Sequence, residues 1–274
     1  MKKLILFTAL FVFINNQLFS QRVQSLIPSI TVDSIFKVKP LATKMAVNPL
    51  DGHIFYSTID GNIYEVFISQ TSFSTDSLRF SSENHGITTL QGFCFRDSVM
   101  YVCGNVWSAT TGIGKITKGV LQSNGERNWV NVVSTEPYPT ASTTGDHGFT
   151  GVNIDPKGIH IYVSSGARTS FGEKRDNSGA WTDKREVPLT TRIFRFPINT
   201  VDLILLNDSV FLDNSPYVYA WGTRNAYDMA WDANDTLFAI DNSGERDDPD
   251  ELNWLRQGKH YGFPWRMGGN DNPL

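Results

Sequence analysis

Short apolar runs separated by turn-forming residues recur four times along the chain. Met45-Ala46-Val47 and Ile54-Phe55-Tyr56 flank Asn48-Pro49-Leu50-Asp51-Gly52, and Leu90-Gln91-Gly92-Phe93-Cys94-Phe95 and Val99-Met100-Tyr101-Val102 flank Arg96-Asp97-Ser98. Gly151-Val152-Asn153-Ile154 and Ile159-His160-Ile161-Tyr162-Val163 flank Asp155-Pro156-Lys157-Gly158, and Tyr227-Asp228-Met229-Ala230-Trp231 and Thr236-Leu237-Phe238-Ala239-Ile240 flank Asp232-Ala233-Asn234-Asp235. Asp, Asn, Pro and Gly supply the turn conformations, and the β-branched and aromatic flanks suit strands buried between sheets. Equivalent turns fall near Asp51, Asp97, Lys157 and Asp235, which are 46, 60 and 78 residues apart. A four-stranded propeller blade takes about 40–50 residues, so the pattern predicts an all-β propeller with growing insertions between blades. A two-sheet sandwich of regular hairpins is the competing architecture, and the fourfold recurrence favours the propeller. The polar stretch 172–186, with Trp181 inside it, is one such insertion, and long insertions in compact domains are often functional loops. A short helix is expected over 249–257, where acidic residues open the segment as a helix N-terminus prefers.

The first twenty residues have a different pattern. Lys2 and Lys3 precede an apolar run over 4–14, followed by Asn15-Asn16-Gln17-Leu18-Phe19-Ser20. A basic start, a short apolar stretch and a small residue form a secretory signal, with cleavage expected after Ser20. Eleven apolar residues make about 16 Å of helix, roughly half a bilayer core, so no membrane span is expected after cleavage. The organisation expected is a signal peptide at 1–20, a leader at 21–43 and a propeller from 44 to 274, in a secreted or periplasmic protein. The net charge of −4 argues against a nucleic-acid partner, because duplex binders need basic patches to neutralise phosphates. Cys94 and Cys103 flank the second turn; a cross-strand disulfide and two buried core thiols are both open readings.

The densest candidate chemistry lies near the C-terminus. Trp221-Gly222-Thr223-Arg224-Asn225 is followed by Asp241-Asn242-Ser243-Gly244, then Asp250-Glu251-Leu252-Asn253, then Gly258-Lys259-His260-Tyr261-Gly262-Phe263-Pro264-Trp265. Asp247, Asp248, Asp250 and Glu251 crowd into five positions. Calcium takes six to eight oxygen ligands, so this acidic loop reads either as a calcium site or as a solvated cap on a helix. Arg224 reads either as an anion-binding fork or as a structural partner of Asp228 or Asp232. His147 lies in Gly145-Asp146-His147-Gly148, where a neighbouring carboxylate could orient an imidazole that titrates near neutral pH. His53, His85, His160 and His260 show no ligand spacing and read as structural.

In that order, G-x-R-N, a hairpin, D-E-L-N and G-x-x-Y-G-F-P resemble the signature of the soluble glucose/sorbosone dehydrogenases, and Gly145-Asp146-His147-Gly148 resembles the same family's catalytic-histidine blade. The resemblance runs from about residue 44 to 274. It implies a six-bladed β-propeller, with about four blades in this chain, which makes the chain the first portion of such an enzyme. It implies a quinoprotein oxidoreductase that oxidises a sugar or related alcohol with pyrroloquinoline quinone (PQQ) and calcium, passing electrons to an acceptor the sequence does not name. By the same match, His147 is the general base, and Arg224 and Asn225 contact the quinone. Asp250 and Glu251 are acidic calcium ligands, Tyr261 gives its backbone carbonyl, and the Gly244 carbonyl holds the calcium that faces the cofactor. This chain departs from the pattern at Glu245, where proline is usual, at Phe149-Thr150-Gly151, and at Gly166-Ala167-Arg168. The family's remaining basic contacts to the quinone lie on later blades, so the chain as it stands is expected to be a poor catalyst. A calcium-dependent lactonase-type hydrolase and a non-catalytic extracellular propeller binding carbohydrate or protein are the alternatives.

Overall fold

The computed structural model of the chain describes residues 27–32, 34–69, 74–141, 146–176, 182–244 and 248–272. The signal segment 1–20, and Gly145, Trp181, Glu245 and Asp247, lie outside the described residues. The chain divides into two compact units, Met1–Lys37 and Val38–Leu274. What is described of the first is a turn closed by Ile30 N donating to Ile27 O at 3.0 Å. No helix among the described residues is long and apolar enough to cross a membrane.

The second unit is a β-propeller of four blades. The first blade is β1 (Ala42–Val47), β2 (Ile54–Thr58), β3 (Ile63–Phe67) and β4 (Thr75–Phe80), followed by the single-turn α1 (Ser82–His85). The second contains β5 (Thr89–Arg96), β6 (Val99–Trp107), β7 (Thr111–Leu121) and β8 (Arg127–Thr135), with β9 (Tyr138–Pro139) added to β7. The third contains β10 (Phe149–Ile154), β11 (His160–Ser165) and β12 (Arg192–Pro197). The segment after β12 forms β13 (Leu203–Leu205), which pairs in parallel with β8 of the second blade, then α2 (Ser209–Asn214). It returns as β14 (Val218–Trp221) to complete the third blade. The fourth is β15 (Ala226–Trp231), β16 (Leu237–Asp241) and β17 (Glu251–Leu255), followed by the hairpin β18 (Arg266–Met267) and β19 (Asn270–Asp271).

All four expected hairpins are present, at β1–β2, β5–β6, β10–β11 and β15–β16. Their turns close as the residue types require. Asp97 and Asp235 take φ of 51° and 61°, a left-handed conformation that Asp tolerates better than most side chains. Asp155 caps its turn through both carboxylate oxygens, accepting from Ile159 N at 2.8 Å and His160 N at 3.0 Å. The expected helix over 249–257 is not formed. Residues Glu251–Leu255 pair antiparallel with β16, Glu251 opposite Asp241 and Leu255 opposite Leu237. Their burial alternates, and sheet pairing outweighs the helix-favouring acidic start. Cys94 and Cys103 are both free thiols. Cys94 lies opposite Tyr101 and Cys103 opposite Gly92, so the register sets them diagonally rather than face to face. Burial pushes the Cys94 thiol up to about 12.

The core lies between blades rather than within them. Phe55 and Ile63 of the first blade meet Leu90, Phe93 and Met100 around the second. Ile116 and Val133 meet Val152, Ile161, Phe194 and Phe196 between the second and third. Tyr162, Ile193 and Ala220 meet Met229, Leu237 and Leu255 between the third and fourth. Each fully buried Val, Leu, Ile or Phe stabilises by about 1.5–3 kcal/mol, so these interfaces set the blade order. Near the axis the backbones themselves touch. A Cβ on Gly92 would sit 2.6 Å from Thr150 O, and one on Gly151 2.9 Å from Tyr227 O. The inner strands of the first and fourth blades also meet: the Lys44 ammonium pairs with the Asp228 carboxylate, and the Tyr227 hydroxyl donates to Thr43 O at 3.2 Å.

Asn105 of β6 locks the second blade to the start of β10. Its Oδ1 accepts from Phe149 N at 2.8 Å and its Nδ2 donates to Phe149 O at 3.0 Å, and the side chain is fully buried. Asn105→Ala strips both partners from Phe149, at about 1–3 kcal/mol for each buried group left unpaired. The variant is expected to unfold at a clearly lower denaturant concentration. An unchanged midpoint in a urea titration would show that Asn105 does not join the blades.

Candidate functional site

The residues singled out by sequence gather where β10 and β15 begin. His147, two residues before β10, is half-buried. Its backbone N donates to Ala167 O at 3.1 Å, and its Nδ1 lies 3.1 Å from the same carbonyl. A carbonyl can only accept, so Nδ1 carries the proton and the imidazole lone pair is on Nε2. Both Asp146 carboxylate oxygens accept from Ala141 N, at 2.8 and 3.0 Å. The Ala167 carbonyl holds the His147 ring through Nδ1. Gly166, just upstream of that carbonyl, lets two segments close up. A Cβ there would lie 2.5 Å from His147 Cβ and 3.0 Å from Asn225 Oδ1.

Arg224 and Asn225 are buried immediately before β15. Both are held by Asp241, at the end of β16, whose Oδ2 accepts from Arg224 N at 3.0 Å and whose Oδ1 accepts from Asn225 N at 2.5 Å. Burial pushes the Asp241 carboxyl up to about 7; these two N–H donors pull it back and the nearby Glu251 charge adds to the rise. The Arg224 side chain donates to Ser170 O at 2.8 Å and Asn242 O at 3.0 Å. Neither Asp228 nor Asp232 is its partner: Asp228 takes Lys44, and Asp232 caps its own turn through Asn234 N and Thr236 N. The Asn225 Oδ1 is buried and accepts no hydrogen bond among the described residues. An orphaned acceptor of this kind costs about 1–3 kcal/mol, and a ligand donor would relieve it.

Of the metal candidates, Glu251 and Tyr261 line one small pocket together with Arg224 and Asp241. Asp250 and Gly244 are not in its lining. The Asp250 carboxylate is exposed and accepts from Ser243 N at 2.9 Å. Glu251 accepts from Asn253 Nδ2 at 3.0 Å and Gly269 N at 3.2 Å. Gly244 packs on Ser170 and Phe171, with its Cβ position 2.9 Å from Ser170 O. The Tyr261 hydroxyl donates to Trp254 O at 2.6 Å. Among the described residues no group of three or more His, Cys, Asp or Glu side chains converges as a metal site.

Sequence reasoning missed two residues that anchor the ends of the 172–186 insertion. Arg168 is almost fully buried. Its guanidinium donates to the carbonyls of Pro139, Thr140, Arg175, Lys184 and Arg185, at 2.8 to 3.2 Å. Glu186 is its neighbour: the carboxylate accepts from Arg168 N, from Thr169 N and Oγ1, and from Thr190 Oγ1. Together they tie both ends of the 172–186 insertion to the blade that carries His147. Gly166-Ala167-Arg168 stands between serines and a threonine, and carbonyl acceptors leave no sequence motif that would single out Arg168.

His147 and the Arg224–Asn225 pair thus stand just before the adjacent inner strands β10 and β15 of a propeller, with the buried Asp241 at the end of β16 holding the pair. A model of the glucose/sorbosone dehydrogenase family matches residues 96–272, and the chain belongs to that family. Its fold is shared with the PQQ-bound form of aldose sugar dehydrogenase from Streptomyces coelicolor, at 19% identity and a TM-score of 0.55, over 88% of this chain and 68% of that one. It is shared with an iodide structure of Trichoderma reesei Carbohydrate-Active Enzymes Family AA12, at 12% identity and a TM-score of 0.53, over 84% of this chain and 58% of that one. The holo form of the pyranose dehydrogenase PQQ domain from Coprinopsis cinerea gives 10% identity and a TM-score of 0.50, over 80% of this chain and 49% of that one. The chain thus spans roughly half to two thirds of these structures. No curated protein matches it.

Burial pushes the Glu186 carboxyl up to about 7 from 4.5, against the pull of its four donors. The folded state therefore keeps a proton that the unfolded chain releases, and this contribution to stability fades as pH rises from about 4.5 to about 7. Over that window the wild type should lose on the order of 3 kcal/mol relative to Glu186→Gln. Parallel pH profiles of unfolding for the two proteins would contradict the assignment.

Proposed function

We propose that this chain carries the histidine, arginine and asparagine of a PQQ-dependent sugar oxidoreductase site. The observation that carries the reading is the buried Asn225 Oδ1, which has no donor among the described residues and shares Gly166 with His147. The residues present fit a quinone with anionic and hydrogen-bonding edges: a buried guanidinium, an acceptor without a donor, and a histidine whose tautomer is set. A bound quinone supplies the two-electron acceptor that no side chain here provides.

The chain's own part is to bind, orient and move one proton. His147 Nε2 carries the lone pair, so it is the atom that takes the proton from a sugar hydroxyl. Arg224 brings fixed positive charge, and because Asp241 clamps its backbone the charge is in place before substrate arrives. Glu251 and the Tyr261 carbonyl, with Asp250 and the Gly244 carbonyl, are the hard oxygen donors that would hold calcium. Glu251 and Tyr261 already share a pocket; Asp250 and Gly244 would have to turn toward it. Export as a secreted or periplasmic protein, with a sugar or related alcohol as substrate, completes the reading.

The test is reconstitution. Titrating PQQ into the purified protein with calcium should give a saturable quinone absorbance band. Asn225→Leu should weaken that binding about tenfold, the loss of one hydrogen bond to a charged or polar edge. His147→Ala should keep the band and lower any aldose oxidation by about a hundredfold or more relative to wild type. A protein that shows no saturable band, or binds quinone equally well without Asn225, does not use this site. If a chelator changes neither the quinone affinity nor the melting temperature, the calcium part fails alone.

A further inference from the structure

A second concave site lies between the third and fourth blades, on the face away from His147. β10 runs from the His147 end to the Asp155 turn, and six strand residues span about 20 Å. β15 likewise runs from Asn225 to the Asp232–Asp235 turn. The crevice between these two turns has a cavity of about 370 Å³. That is within the range of about 300–1,000 Å³ usual for small-molecule sites.

Its floor is aromatic. Tyr162 stands edge-on to both Tyr219, with centroids 5.0 Å apart, and Trp231, at 5.2 Å. Its rim is polar and already ordered. Arg195 lies over the Tyr219 ring at 5.6 Å and donates to Gln257 Oε1 at 3.1 Å. Asp155 holds the His160 ring through Nδ1 at 2.9 Å. The formal charges balance: Lys157 and Arg195 against Asp155 and Asp235. Rigid aromatic faces bind the C–H side of a sugar ring, planar polar side chains bind its hydroxyls, and a balanced rim favours a neutral ligand over an ion.

We propose that this crevice is a second, non-catalytic site for a neutral sugar ring, either free or at the end of a glycan. It is independent of the quinone reading, because none of its lining residues belongs to the His147–Arg224 site. A site so placed would hold the protein on polymeric carbohydrate while the other face works.

The test is saturation-transfer NMR on the protein without quinone or calcium, using methyl β-D-glucopyranoside, cellotetraose and xylotetraose. At least one should show transfer to its ring C–H protons with a Kd in the range of about 0.1–10 mM. Trp231→Ala should abolish it, and Gln257→Ala, at an exposed rim position, should weaken it about threefold or more. His147→Ala should leave it unchanged. Binding of the tetrasaccharides but not the monosaccharide identifies a glycan end; the reverse identifies a free sugar. The proposal is overturned if none of the three sugars binds, if binding survives both crevice substitutions, if His147→Ala removes it, or if inorganic phosphate displaces the sugar.

Discussion

Close approach of the inner strands is the constraint on which the site depends. Blades wrap an axis, and near it there is room for backbone but little else. At Gly92 and Gly151 the missing side chain lets one inner strand lie against the carbonyls of the next. At Gly166 the same economy of space brings the His147 segment against Asn225. Interiors are close-packed and relax only partly around an added methyl, so these contacts tolerate no Cβ without moving a strand. The apolar interfaces farther out set which blade follows which, and the axial contacts set how the ends of the inner strands converge. His147, Arg224 and Asn225 sit on the short segments that lead directly into β10 and β15, so the inner strands fix where these side chains meet.

Buried polar groups then fix the orientations. Asn105 pairs with the Phe149 backbone, Asp241 receives the amides of Arg224 and Asn225, and the Ala167 carbonyl holds His147 Nδ1. Arg168 and Glu186 do the same at the ends of the 172–186 insertion. Each of these groups would be costly to bury alone, and each is compensated by several hydrogen bonds. The Asn225 Oδ1 and the neighbouring Thr223 Oγ1 are buried with no hydrogen-bond partner among the described residues.

Much of this architecture was legible in the chain. The four hairpins were visible because Asp, Asn, Pro and Gly must occupy turns with left-handed or capped geometry, and Asp97, Asp155 and Asp235 do so. His147, Arg224 and Asn225 stood in motifs, and the fold brings them together. The segment Glu251–Leu255 misled, because its acidic start imitates a helix cap while its alternation serves β16. Asp241 as a clamp could not be read, since its role depends on the register that sets it opposite Ala226. Arg168 was invisible for a related reason: its acceptors are backbone carbonyls scattered from Pro139 to Arg185, and carbonyls have no sequence identity. The cysteine pair depended on register alone, and a diagonal offset leaves both as thiols.

The central claim is that the absence of a side chain at Gly166 assembles the site. Gly166→Ala would place a methyl 2.5 Å from His147 Cβ and 3.0 Å from Asn225 Oδ1, so one of the two segments must shift. The measurement is the PQQ dissociation constant of this variant against wild type, with far-UV circular dichroism as the control for fold. The account predicts an unchanged spectrum and an affinity lowered about tenfold or more, equivalent to roughly 1.4 kcal/mol. An alanine variant that folds and binds quinone as tightly as wild type would contradict it.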